Sequence, residues 1–332
     1  MRMASNKQII SVCLPVYNAA PYIADTIASI QAQDWKDLRI LVQDNASSDG
    51  TSRIVRGISE RDPRIELQVN PENIGYCGNI RRALDRADTD LVCVFHGDDL
   101  YRPGLISAEY AALKESGAAA AFSSYRIFYG NPSKSMPYPI GPDFQRGSRW
   151  FVGGLDEYLP ILLERGNPFA CPTLLTYRRV LLDLGAFTDR YPSNEDLDLW
   201  IRYLKTGRRL AIVRERLFLY RRSAAQGSAY WDNRDELPVY FDLIDEELLK
   251  EKPAEGRTAA AYDRLKAKAL LQAAANAAKA GRQEKARGFM ERSIALYKMR
   301  LLNGGWYLFQ RSLPTYLGFM AMKESLKRMI QR

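Results

Sequence analysis

The chain has 332 residues, 46% of them hydrophobic, which is enough to bury a full core and suits one large domain with an accessory segment. Its formal net charge is +9, yet residues 256–332 hold 16 Lys or Arg against 4 Asp or Glu, so the basic character belongs to that segment and the remainder is mildly acidic. No apolar run approaches a membrane span, Pro15 and Asn18 break the N-terminal stretch too early for a signal peptide, and the four cysteines form no CxxC or Cys/His cluster, which argues against a spanning protein, a disulfide frame and a zinc site.

Residues 9–16 (IISVCLPV) predict a first strand, and Pro21 opens a helix whose Ile23, Ile27 and Ile30 recur at helical spacing. A second strand is expected at 38–42. The DNASSDGT that follows is rich in turn and N-cap residues and leads into a helix around 54–58. A third strand at 65–69, a helix at 76–87, a fourth strand at 91–95 and a helix from Pro103 to Ser116 continue the alternation. Such alternation implies an α/β fold with a parallel sheet and right-handed crossovers.

From 123 to 154 the pattern lapses into Gly, Pro, Ser and aromatics, which predicts a long loop or lid. Tyr125, Tyr129, Tyr138 and Trp150 within it suit anchoring of the loop, or stacking on the face of a ligand ring. A helix at 155–164, a segment at 172–177, a helix after Ser193 and short strands at 210–213 and 217–220 follow. Beyond about Ala229 the chain becomes helical and Ala-rich. Residues 268–297 read as two antiparallel helices hinged near Gly281, a single tetratricopeptide-like hairpin with no repeat after it. Residues 306–332 interleave aromatics, Met and Leu with Arg and Lys. They suit packing onto the rest of the chain or contact with an anionic membrane surface. The expectation is a cytoplasmic protein, peripheral at most on the inner face of a membrane, with small buried cysteines.

The most informative stretch is LVCVFHGDDLY at 91–101, an apolar run that stops at Gly97, Asp98 and Asp99. It reads as a strand buried on both faces, with two carboxylates at its C-terminal end, where open α/β sheets place ligands. A divalent cation bridging to phosphates would satisfy such a pair; an Asp-rich turn before the next helix is the bland alternative.

Five segments then occur in order: SVCLPVYNAAPYI, VQDNASSDGT, NIGYCGN, FHGDD and NEDLDLWIRY. The ordered set resembles the family 2 glycosyltransferases, inverting enzymes of the GT-A fold, and covers roughly residues 8–228. The resemblance implies a catalytic domain at 1–228, with a Rossmann-like, mostly parallel central sheet flanked by helices, and a helical, basic segment at 229–332. It implies that Pro15, Tyr17 and Asn18 close the nucleotide pocket, that Asp44 accepts a hydrogen bond from the base, and that Asn73 and Gly75 form the turn beside the nucleotide. Capping of the following helix suits Asp49 better than Asp44.

Asp98 and Asp99 fall on the family's DxD element, which holds a divalent cation (Mn2+ or Mg2+) and the donor diphosphate. His96, the chain's one histidine, stands where the first acid of that element is usual. Glu195 and Asp196 fall on the acidic pair of which one member is the general base, with Asp196 preferred and Glu195 the fallback. Without the other motifs, two acids at a helix start would simply complement its dipole. Ser223 stands where relatives often carry a histidine that completes the metal shell. Arg221 or Arg222 is therefore expected to take part of the leaving-group charge, because guanidinium binds phosphate bidentately. Residues 167–177 with Arg178 and Arg179 resemble the acceptor side.

The implied activity is transfer of a sugar from a nucleoside diphosphate, most simply a UDP-sugar, to a hydroxyl of a glycan or lipid-linked acceptor in cell-surface polysaccharide assembly. The rival reading is an inactive GT-A-fold protein that binds glycan or nucleotide, motivated by His96 and Ser223. A nucleotidyltransferase is disfavoured because LPVYNAAPY contains no Gly-rich phosphate loop, and nucleic acid because no recognition motif accompanies the basic segment.

Overall fold

The computed structural model describes residues 8–137, 148–222, 234–297 and Pro314. The described chain divides into two compact units. The first takes the described residues up to Tyr158, Pro168–Arg190 and Glu195–Arg222; the second takes Leu159–Asn167, Tyr191–Asn194 and the described residues after Arg222.

The first unit is built on one sheet. Strands β1 (Ile10–Val16), β2 (Leu38–Asp44), β3 (Ile65–Val69) and β4 (Leu91–Val94) alternate with helices α1 (Ile23–Gln31), α2 (Thr51–Ser59) and α3 (Gly75–Arg86). The crossovers make β1 parallel to β2 and β4, and β2 parallel to β3. Every residue of β1 and β4 is buried, as expected of strands covered on both faces, whereas the edge strand β3 is largely open. The four cysteines are free and buried, and burial pushes the Cys13 thiol up to about 12.

After β4 come the short β5 (Leu100–Tyr101), helix α4 (Leu105–Ser116) and strand β6 (Ala120–Phe128). Two-residue β7 (Met136–Pro137), β8 (Trp150–Gly153), helix α5 (Leu155–Arg165), β9 (Leu174–Tyr177), helices α6 (Arg178–Asp183) and α7 (Glu195–Lys205), and β10 (Leu210–Arg221) complete the order of elements. Along the sheet the strands run β3-β2-β1-β4-β9-β6-β10-β5, with β7 on β6 and β8 on β10. Here the sheet is mixed: β9 is antiparallel to both β4 and β6, while β10 is parallel to β6.

Two expectations are corrected. The irregular stretch expected at 123–154 is partly strand, because β6 reaches Phe128 and β8 spans Trp150–Gly153; residues 138–147, with Tyr138, lie outside the described residues. Tyr125 packs against Phe218 and Tyr220, with ring centroids 5.9 and 6.1 Å away, so it anchors strands and not a loop. The two short strands expected at 210–213 and 217–220 are one strand, β10, whose register against β6 shifts between Val213 and Phe218. A bulge of this kind breaks the period-2 pattern without ending the strand.

In the second unit, α8 (Tyr240–Ile244) and a π turn (Asp245–Leu249) precede a hairpin of α9 (Gly256–Lys279) and α10 (Gln283–Leu296). Gly281, at φ +77°, sits at the hinge as expected. Ala267, Ala274 and Leu271 of α9 pack on Phe289 and Met290 of α10, the alanines letting the helices approach closely. Asp235 is ion-paired with Arg282 at 2.8 Å and Lys285 at 3.1 Å, which clamps the start of α10. No helix among the described residues is long and apolar enough to cross a membrane. Ser223 and the basic stretch at 306–332, Pro314 apart, lie outside the described residues.

Candidate active site

The C-terminal ends of β1, β2 and β4 lie side by side, and the candidate residues gather there. Val16 closes β1 opposite Asp44 of β2, so Pro15, Tyr17 and Asn18 adjoin the loop after Asp44. Pro15 is buried, and Tyr17 is 53% exposed at the lip. Asn18 takes φ +48°, a conformation an Asn tolerates better than most residues. Its Oδ1 accepts from Ser48 N at 3.0 Å and its N–H donates to Ser47 Oγ at 2.8 Å, stitching the two loops together.

Asp44 is fully buried and accepts from Ser47 N at 2.9 Å and from Ser52 Oγ. It therefore orders its own loop, and contact with a base would use its remaining lone pairs. The N-cap of α2 is Gly50, and Asp49 just before it accepts from Thr51 N at 3.0 Å and Ala20 N at 2.9 Å, which ties the loop to the residues after β1.

Asn73 and Gly75 belong to a chain of amides whose other members carried no sequence signal beyond being polar. Asn45 Nδ2 donates to Asn73 Oδ1 at 2.7 Å and to the Gly75 carbonyl at 3.1 Å; Asn73 Oδ1 also accepts from Gly75 N at 2.9 Å. Asn70 Nδ2 donates to Asn45 Oδ1 and Asn79 Oδ1, both at 2.9 Å, while Gln43 Nε2 donates to Asn70 Oδ1 at 2.8 Å. Gln43, Asn70 and Asn79 are buried, so each bond replaces one to water that burial has removed. Gly75, at φ +78°, supplies the turn into α3 that a side chain would strain.

The acidic loop is clamped from several elements. Thr26 of α1, fully buried, donates its hydroxyl toward the carbonyls of Gly97 (3.1 Å) and Asp99 (2.8 Å). A Cβ on Gly97 would lie 2.7 Å from Val16 Cγ1, which is why glycine stands there. Arg221, at the end of β10, donates Nε to the Asp98 carbonyl at 2.7 Å, with its guanidinium 4.7 Å from the centroids of both Tyr22 and Phe128. Arg221 is thus built into the wall behind the loop. Arg222 donates its N–H to the Phe128 carbonyl at 2.9 Å.

One ligand atom from each of His96, Asp98 and Asp99 lies within 4.8 Å of the others. Asp99 is fully buried; one oxygen accepts from Arg221 N at 2.8 Å, and Oδ2 has no hydrogen-bond partner among the described residues. Burial, then the neighbouring Asp98, raises its pKa well above the usual carboxylate range. A buried carboxylate oxygen without a partner, beside a second carboxylate and an imidazole, is a donor set that suits a divalent cation. Burial holds the His96 pKa below its ordinary value, against the pull of Asp98.

Glu195 and Asp196 begin α7, where Asp196 Oδ1 accepts from Leu197 N at 2.7 Å. Leu197, Leu199, Trp200 and Ile201 behind them are buried, which fixes the helix and leaves the acids at its mouth. Their field reaches the acidic loop's neighbours. Burial first, then Asp196 and Glu195, push the Cys171 thiol up, and Cys171 Sγ lies 3.6 Å from Tyr76 Oη, itself 3.0 Å from His96 Nε2. Tyr76 therefore joins His96 of the acidic loop to Cys171, and neither Tyr76 nor Cys171 was singled out by sequence reasoning.

Residues 11–185 match the profile of the family described as Glycosyl transferase family 2. A GalNAc(5)-diNAcBac-PP-undecaprenol beta-1,3-glucosyltransferase of Campylobacter jejuni is 29% identical over 198 residues, 59% of this chain and 60% of that protein. In fold, the chain resembles S. aureus TarS 1-349 in complex with UDP-GlcNAc, with TM-score 0.58, 17% identity and coverage of 88% of this chain and 84% of that one. It also resembles the mannosyltransferase PcManGT of Pyrobaculum calidifontis in complex with GDP-Man and Mn2+, with TM-score 0.56, 19% identity and coverage of 96% and 87%.

Proposed function

Because this chain belongs to glycosyl transferase family 2 and has the GT-A fold of its solved neighbours, we propose that it transfers a sugar, with inversion, from a nucleoside diphosphate to an acceptor hydroxyl. The observation that carries the reading is the cluster of His96, Asp98 and Asp99, with one ligand atom from each within 4.8 Å of the others. This cluster follows β4, and a second acidic pair, Glu195 and Asp196, opens α7.

In this reading Asp196 takes the acceptor proton as the hydroxyl oxygen bonds to the anomeric carbon and the bond from that carbon to the diphosphate oxygen breaks on the opposite side. Glu195 orients donor or acceptor and can replace Asp196 as base. Asp98, Asp99 and His96 would hold a divalent cation, which when bound neutralises charge on the departing diphosphate. Arg221 keeps the loop in place from behind. Asp44 contacts the base, Tyr17 offers an exposed ring for it to stack on, and Pro15, Asn18, Asn73 and Gly75 shape the pocket edge.

UDP is the preferred nucleotide: a buried carboxylate such as Asp44 complements the N3–H of uracil and disfavours cytosine and adenine, which lack a ring N–H there, and guanine, which has one, is the rival. The UDP-GlcNAc-binding neighbour supports this choice, and the GDP-Man-binding one supplies its rival. The undecaprenol-linked relative supports a glycan or lipid-linked acceptor in surface polysaccharide assembly. Calorimetric titration of UDP, and separately GDP, with Mn2+ and with EDTA tests the donor side. Tighter binding of UDP with Mn2+ is expected; equal binding in EDTA would remove the cation from the reading, and no binding of either nucleotide would remove the donor.

A further inference from the structure

Tyr76, the second residue of α3, is 39% exposed yet held by three groups. Its Oη lies 3.0 Å from His96 Nε2 and 3.6 Å from Cys171 Sγ, and its ring stands edge-on to Phe187 with centroids 6.3 Å apart. The other end of His96 is fixed as firmly. Its backbone N–H donates to Tyr101 Oη at 2.7 Å, and that hydroxyl donates back to the His96 carbonyl at 3.2 Å. Tyr101 is itself stacked on Phe95, with centroids 4.0 Å apart. An imidazole with one nitrogen occupied has a single nitrogen left for another partner. Metal-binding histidines are commonly oriented in this way, through a hydrogen bond at the far ring nitrogen.

We propose that Tyr76 is a positioning residue that makes His96 a cation ligand: with Nε2 tied to Tyr76 Oη, His96 offers Nδ1 to a divalent cation shared with Asp98 and Asp99. In the matching tautomer Nε2–H donates to Tyr76 Oη, and the tyrosine hydroxyl in turn donates a hydrogen bond to Cys171 Sγ. The site becomes one imidazole and two carboxylates, with the tyrosine replacing the carboxylate or carbonyl that orients such a histidine elsewhere. This rests on the reading of the acidic loop as a cation site.

The test uses the full chain. MnCl2 is titrated calorimetrically in the presence of UDP, and again of GDP, into the wild type, Tyr76→Phe and His96→Asn, and the bound Mn2+ is examined by pulsed EPR for nitrogen coupling. Tyr76→Phe keeps the ring against Phe187 and is expected to weaken Mn2+ by about 10- to 100-fold. The nitrogen coupling of the wild type is expected to vanish in His96→Asn. Mn2+ affinity unchanged within about twofold in Tyr76→Phe, or a wild-type signal without nitrogen coupling, overturns the role of Tyr76 and His96 while leaving Asp98 and Asp99 as ligands. The wild-type signal needs no variant and so decides even if a substitution unfolds the chain. Absence of Mn2+ binding by the wild type with either nucleotide overturns the cation reading and this proposal together.

Discussion

The backbone N–H of Arg221 donates to the carboxylate of Asp99 at 2.8 Å across 122 positions of sequence. The same residue holds the Asp98 carbonyl through Nε, so the last residue of β10 fixes the shape of a loop that follows β4. Strand pairing makes this contact, since β10 enters the sheet beside β6 and β5 and delivers Arg221 to the sheet's C-terminal edge.

Arg221→Lys keeps the backbone bond to Asp99 but loses the Nε bond and the stacking against Tyr22 and Phe128. The expected cost is about 1–3 kcal/mol in urea unfolding, since a hydrogen bond and a cation–π contact each contribute about 1 kcal/mol. Nucleotide affinity is expected to fall with it. Unchanged stability would mean that the guanidinium does not brace the loop.

Gly97→Ala would place a Cβ against Val16, and overpacking of this kind costs roughly 1–3 kcal/mol. Val16→Ala opens the space that the new methyl needs. The double variant is therefore expected to be more stable than the sum of the two single losses, which a thermodynamic cycle from urea titrations measures. Strict additivity would show that the close approach of Gly97 to Val16 is unimportant.

Asp196→Asn can keep the bond to Leu197 N while losing the ability to take a proton. Turnover is expected to drop by about 10²- to 10⁴-fold with nucleotide affinity preserved, and Glu195→Gln to lose less. Steady-state rates beside calorimetry separate the two effects. Wild-type turnover in Asp196→Asn would pass the role of base to Glu195.

Glu109 lies on the buried face of α4 with Leu105, Ile106, Ala112 and Leu113, and neither carboxylate oxygen has a hydrogen-bond partner among the described residues. Burial raises its pKa well above the ordinary carboxylate value. The folded chain thus keeps a proton that the unfolded chain releases above about pH 4.3. The stability tied to this proton is fully present below that pH and is lost as pH rises toward the folded pKa. Glu109→Leu is expected to gain about 1–3 kcal/mol over the wild type at pH 8, where the buried polar group costs most, and less at pH 5. Urea titrations at the two pH values check this; equal differences at both would show that Glu109 does not titrate with folding.

The parallel half of the sheet was legible because each strand there is a short apolar run and each crossover helix shows its period, as with Ile23, Ile27 and Ile30. Strand β6 was not, since AAFSSYRIF mixes small, polar and charged residues. Its place is set by pairing with β9 and β10, more than 40 residues away in sequence. Among the site residues, the paired acids announced themselves by lying at strand and helix ends. Thr26 is one polar residue among the isoleucines of α1, Tyr76 an aromatic in a helix, and Asn70 a strand-end amide. Only the juxtaposition of α1, α3 and β4 gives these residues their contacts.

The amide chain running from Gln43 through Asn70 and Asn45 to Asn73 has a direction. Asn70 and Asn45 each give with Nδ2 and receive with Oδ1, so reversing either one turns its attractions into repulsions. A change at one position is absorbed only by a matching change at the next, and an isolated exchange to Asp or Leu would leave its neighbours misaligned. Substitutions along this wall are thus predicted to be inherited in pairs, with Asn45 drifting alongside Asn70 or Asn73, while the exposed face of α3, at Arg81 and Asp85, varies independently.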